Sequence, residues 1–115
     1  MDIIGPLQLR VMKYIWKNGP STVHTVHEAL NAEKDAPTLA YTTILTVMRN
    51  LAKRDILEQT PQGRSHLFTP RLSDNEYRAH VLLALRNDLF AGKTKAMVDF
   101  IEQSAEFKRG RRRSS

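Results

Sequence analysis

The sequence predicts a mainly α-helical protein carrying one small β-hairpin. Apolar residues recur at helical spacing across three early stretches, the period shortens to that of a strand after Asp55, and helical spacing returns from Ser73 onward. A length of 115 residues gives room for one compact core with a short appendage. Hydrophobic residues at 41% beside charged residues at 26% describe a chain that folds.

The first helix follows Gly5-Pro6, with proline at a favourable first-turn position, and ends at Asn18-Gly19-Pro20, a cap and a breaker. Leu7, Leu9, Val11, Met12, Ile15 and Trp16 fall on one side, with Arg10, Lys13, Tyr14 and Lys17 on the other. Ser21 or Thr22 can cap a second helix that buries Val23, Val26 and Leu30 and ends near Asn31. A polar loop containing Pro37 leads to a third helix over about 40–54, whose inward arc is Tyr41, Ile44, Leu45, Val47, Met48, Leu51 and Ala52. Residues 56–60 and 65–69 read as strands joined by the turn Pro61-Gln62-Gly63-Arg64. Ser73-Asp74-Asn75-Glu76 spells a capping box for a fourth helix that stops at Gly92, and Thr94 can cap a fifth through Ala105.

The formal charge of +6 favours a polyanionic partner, but its location matters more than its sum. Residues 1–70 hold eight Lys or Arg against six Asp or Glu, and 71–107 hold five against six. The segment 108–115 supplies the other five basic residues and reads as a basic flexible tail. A solvated tail would raise the charge without binding anything, so the third helix has to carry the case. Its outward arc collects Thr42, Thr43, Thr46, Arg49, Asn50, Lys53 and Arg54, with no carboxylate. A solvated helix face ordinarily mixes Glu with Lys. Short hydroxyls admit close approach to base edges, and Arg and Asn offer two-point contacts to guanine and adenine. Two helices before such a helix, then a hairpin tipped by Gln62-Gly63-Arg64, is the order of a winged helix-turn-helix, in which the third helix enters the major groove. Arg64 is then a polyanion contact from the wing.

The fourth helix carries Tyr77, Val81, Leu85 and Leu89 on one side, while Ala79, Leu82, Leu83 and Phe90 fill much of the rest. A helix apolar on several faces needs several neighbours. The fifth helix, through Met97, Phe100 and Ile101, and a second copy of the chain can supply them. The expected organisation is a winged-helix DNA-binding domain over 1–70, a short helical dimerisation region over 71–107, and the tail.

The residues also resemble a known family. Gly5-Pro6-Leu7-Gln8-Leu9-Arg10-Val11-Met12 with Trp16, Gly19-Pro20-Ser21-Thr22-Val23 and Val26-His27-Glu28-Ala29-Leu30 carry the first half of the resemblance. Leu39-Ala40-Tyr41-Thr42-Thr43-Ile44 with Thr46-Val47, and Gly63-Arg64 followed by Pro70, carry the second. Together they are similar to the penicillinase-repressor family of bacterial transcriptional regulators, the BlaI/MecI/CopY type, densely over 5–70 and loosely over 73–104. The resemblance implies a repressor that binds a palindromic operator in double-stranded DNA as a homodimer. It makes Thr42, Thr43 and Thr46 the major-groove readers, supported by Arg49, Asn50 and Arg64. It also implies a regulatory protease, which in relatives cuts an Asn-Phe bond in the C-terminal helices. This chain has no Asn-Phe dipeptide, the nearest text being Asn87-Asp88-Leu89-Phe90.

Other classes find little support. Zero cysteines exclude disulfides and thiolate metal sites, including the C-terminal Cys pairs of the family's copper-responsive branch. His24 and His27 share metal-compatible spacing but lack a third ligand, and His27 on the apolar stripe reads as a packed, hydrogen-bonded core histidine. No phosphate loop, nucleophile elbow or zinc-protease string occurs, so no enzyme, metal or cofactor is expected. No apolar run approaches a membrane span, and a cytoplasmic protein without a membrane partner is expected. The competing reading is a winged-helix interaction module that docks a partner subunit without sequence-specific DNA binding.

Overall fold

The computed structural model describes residues 3–114, with side chains described through Arg109. The element order is α1 (Pro6–Asn18), α2 (Val23–Asn31), α3 (Tyr41–Lys53), β1 (Leu57–Gln62), β2 (Ser65–Pro70), α4 (Asp74–Phe90), α5 (Thr94–Gln103) and α6 (Ala105–Ser114). The chain divides into two compact units, one spanning Ile3–Tyr77 and one beginning at Arg78.

The first unit is a three-helix core with an antiparallel hairpin. Val11, Met12 and Ile15 of α1, Val26 and Leu30 of α2, and Ile44, Met48 and Leu51 of α3 are buried together with Ile56, Leu57 and Phe68. Burial of each such side chain contributes about 1.5–3 kcal/mol. Proline at the start of α1 needs no amide partner there, and Gly19 at φ 89 lets the chain turn after it. The Thr22 hydroxyl caps α2 by accepting from the Thr25 amide at 3.2 Å.

The hairpin is tighter than its sequence suggests. Pro61 and Gln62 continue β1, and the turn is the pair Gly63-Arg64, with positive φ at Gly63 alone, the pattern of a type II′ turn. With a two-residue turn the closing pair Gln62↔Ser65 is hydrogen-bonded, and the pairs alternate from there. Pro61↔His66 and Leu57↔Pro70 therefore fall on non-hydrogen-bonded pairs, so neither proline removes a bond from the ladder. The same alternation turns the Phe68 backbone away from β1. Its carbonyl accepts from the Ser21 amide at 3.0 Å and its amide donates to the Ser21 carbonyl at 2.9 Å, fastening the hairpin to the α1–α2 turn.

The capping box forms as read from the sequence: the Glu76 amide donates to the Ser73 hydroxyl, and the Ser73 amide to the Glu76 carboxylate, both at 3.0 Å. Tyr77, expected on the dimerisation face, belongs instead to the first unit. It is 7% exposed, its ring lies 5.5 Å from that of Trp16, and its hydroxyl accepts from the Ile4 amide at 2.9 Å. Trp16 donates to the Leu72 carbonyl at 2.9 Å, so packing on α1 carries the unit seven residues past Pro70.

In the second unit, Lys93 rather than Thr94 is the N-cap of α5, and the Thr94 hydroxyl accepts from Arg86 at 3.1 Å. The helix ends at Gln103, because Ser104 is extended. Over most of 108–115, read from the sequence as a flexible tail, the backbone is helical through Ser114, in α6 beginning at Ala105. The Ser104 carbonyl accepts from the Lys108 amide at 3.1 Å, and the Ser104 hydroxyl donates to Glu106 at 2.9 Å, holding that carboxyl below its ordinary value. Arg109 adds an ion pair to Glu106 at 3.5 Å. The side chains of Arg111, Arg112 and Arg113 lie outside the described residues. No residue from 78 to 109 is buried within this unit.

Replacing Tyr77 by Phe keeps the ring and strands the Ile4 amide. Tyr77→Phe is expected to lower stability by about 1–3 kcal/mol, read from urea unfolding at one fixed protein concentration. It should leave the sedimentation coefficient unchanged, since the hydroxyl faces the core of its own unit.

Candidate nucleic-acid interface

The inward face of α3 is fixed by Ile44, Val47, Met48 and Leu51, all buried, which turns the opposite face out. Thr42, Thr43, Thr46, Arg49, Asn50 and Lys53 are all exposed there, as the helical period predicts. Thr46 sits at the centre of this arc, four residues from Thr42 and Asn50. Among the described residues no carboxylate lies within salt-bridge distance of Arg49, Lys53, Arg54 or Arg64. The face is therefore cationic and unneutralised, and its hydroxyl end is low in relief.

Arg64 joins this surface through the hairpin turn, with Gln62 exposed beside it. A cavity of about 260 Å³ lies between α3, the start of α2 and the hairpin, lined by Arg49 and Arg64 together with Thr22, His24, Tyr41, Gln59, Ser65 and His66. Ser65 and His66 escape a reading of the sequence, because the Ser21–Phe68 connection is what brings β2 beside the start of α2. Tyr41 was expected inside and is 46% exposed. As the first residue of α3 it lies beyond the reach of the core side chains.

The loop before α3 is clamped at Leu39. The Leu39 amide donates to the Asn31 side chain at 2.7 Å, and its carbonyl accepts from the Asn31 amide group at 3.0 Å. His27 Nε2 lies 2.9 Å from the same carbonyl, hydrogen-bonded as its place on the apolar stripe suggests, though it is half-buried at the edge of the core rather than within it. His24 is exposed and paired with Glu28 at 3.1 Å. Among the described residues no three metal-ligating side chains converge.

The residues expected to dimerise, Tyr77 apart, lie in the second unit. Leu82, Leu89 and Phe100 are exposed, and Val81, Leu85, Phe90, Met97 and Ile101 are half-buried. The Phe90 and Phe100 rings pack at 5.7 Å. An apolar cavity of about 420 Å³ opens between α4 and α5, lined by Ala79, Leu82, Leu83, Met97, Val98 and Ile101, with Arg86 and Thr94 at its edge. Among the described residues no helix is long and apolar enough to cross a membrane.

Comparison with known proteins gives a consistent result. The family model described as "Penicillinase repressor" matches residues 4–110. The chain is 37% identical over 103 residues to the transcriptional regulator BlaI of Mycobacterium tuberculosis, covering 87% of this chain and 72% of that protein. It is 30% identical over 103 residues to the penicillinase repressor of Bacillus licheniformis, covering 86% and 76% respectively. The solution structure of Bacillus licheniformis BlaI in its monomeric form, in complex with the blaP half-operator, matches at a TM-score of 0.53 and 29% identity. That match covers 66% of this chain and 89% of the other. With a family match across almost its whole length and relatives aligned over most of theirs, the chain belongs to the penicillinase repressor family.

Proposed function

We propose that the chain is a transcriptional repressor that binds a palindromic operator as a homodimer, with α3 in the major groove and the hairpin against the duplex backbone. The observation that carries this reading is the exposed, carboxylate-free face of α3, with Arg64 brought beside it. The half-operator complex of a relative supports it. Repression follows from occupancy, since a protein seated on a promoter blocks polymerase. Thr42, Thr43 and Thr46 meet base edges, while Lys53 and Arg64 neutralise phosphates.

The second unit supports dimerisation. It buries none of residues 78–109 by itself and exposes Leu82 and Leu83 around an apolar cavity. Contiguous apolar surface of this kind is covered in a stable assembly. A dimer places two copies of α3 on half-sites about 10 base pairs apart or a multiple of that, giving a two-fold footprint.

The test is fluorescence polarisation with duplex from upstream of the gene, against random duplex at moderate salt. Thr46→Ala is expected to weaken upstream-duplex binding by about 1–3 kcal/mol while leaving random-duplex binding nearly intact. Arg64→Ala should weaken binding to both duplexes and reduce the salt slope by about one. Leu82→Asp would bury an unpaired carboxylate at the subunit contact, so it is expected to sediment as a monomer.

A further inference from the structure

Tyr41 is an aromatic residue held at the surface by a built support. The His27 ring meets its edge at 5.7 Å and 76°, and His27 is itself held against the Leu39 carbonyl at 2.9 Å. The ring is thus fixed from behind, while its hydroxyl makes no hydrogen bond among the described residues.

Its position on α3 decides what it can meet. Tyr41, Leu45 and Arg49 form one i, i+4, i+8 row along the flank of the helix, between the buried arc and the open arc centred on Thr46. All three line the cavity shared with the hairpin. A helix with its side chains is about 10–12 Å across and the major groove about 12 Å wide, so a helix lying in it turns its flanks to the phosphate walls and only its open arc to base edges. The cavity on this flank is lined by two guanidinium groups, the His66 imidazole and the hydroxyls of Thr22, Tyr41 and Ser65, with no carboxylate among its lining residues, while His24 at the same cavity is taken up by Glu28 at 3.1 Å. That is a donor set for a phosphodiester chain.

We propose that this groove seats one phosphodiester strand of the bound duplex, with Tyr41 as its uncharged anchor. The phenol hydroxyl donates to a phosphate oxygen, and Arg49 and Arg64 neutralise the charge on either side. Arg49 then positions the helix instead of reading bases. The inference rests on the DNA-binding reading given above and adds a contact that charge alone does not reveal.

Tyr41→Phe keeps the ring on His27 and removes only the donor. Polarisation titrations of wild type and Tyr41→Phe are run across salt on the upstream duplex and on a random duplex of equal length. The variant is expected to bind both duplexes about tenfold more weakly, with a salt slope equal to that of wild type, because a phenol displaces no counterion. Equal affinity of the two proteins on the random duplex overturns the proposal. A loss confined to the upstream duplex does so as well, since the hydroxyl would then meet a base edge. A wild type without preference for the upstream duplex counts against that sequence as operator, and the random-duplex comparison still decides the role of Tyr41.

Discussion

Two backbone hydrogen bonds between Ser21 and Phe68 fix the hairpin against the α1–α2 turn and so set the surface it shares with α3. Each contributes only about 0.5–1.5 kcal/mol net. Their larger effect is on register. A one-residue slip of β2 would turn the fully buried Phe68 ring to solvent and carry the outward-facing amide and carbonyl away from Ser21. Arg64 lies four residues from Phe68, roughly 13 Å along an extended chain, so the bridge also sets where the wing arginine stands relative to α3. Ser21 can be buried there because its hydroxyl donates to the Gly19 carbonyl at 2.8 Å.

A second constraint governs the approach of α3 itself. Asn31 closes a two-bond ring around Leu39, and His27 meets the same carbonyl, so the end of α2 holds the last residues of the loop that leads into α3. Three threonines lower the intrinsic helicity of α3, and the buried side of Ile44, Met48 and Leu51 offsets that loss. The exposed side is then free of any packing requirement.

Much of this was legible in the sequence. Helical spacing placed α1, α2 and α3 to within a residue or two, the Ser73–Glu76 capping box formed as written, and the exposed arc of α3 followed from its buried one. What escaped depended on tertiary contacts. Tyr77 fits the apolar stripe of α4 by spacing, yet only the approach of Trp16 and Ile4 shows that it belongs to the first unit. His66 and Ser65 have no sequence signal for a site, since β2 reaches α2 through a backbone bridge. Helix α6 was missed because Gly110 and a run of like charges argue against helix, while the local support from Ser104 and Glu106 carries no apolar periodicity.

Pro61 has a further consequence. On a non-hydrogen-bonded pair its nitrogen points away from β2, toward the edge of β1, where no strand is paired among the described residues. Any other residue there would present a free amide donor on an open sheet edge, the kind of template onto which a second chain can add a strand. A proline in that place removes one outward-facing donor at no cost to the ladder, next to the open edge position of Gln59. The tip of the hairpin thus protrudes with one fewer point at which a second chain could pair.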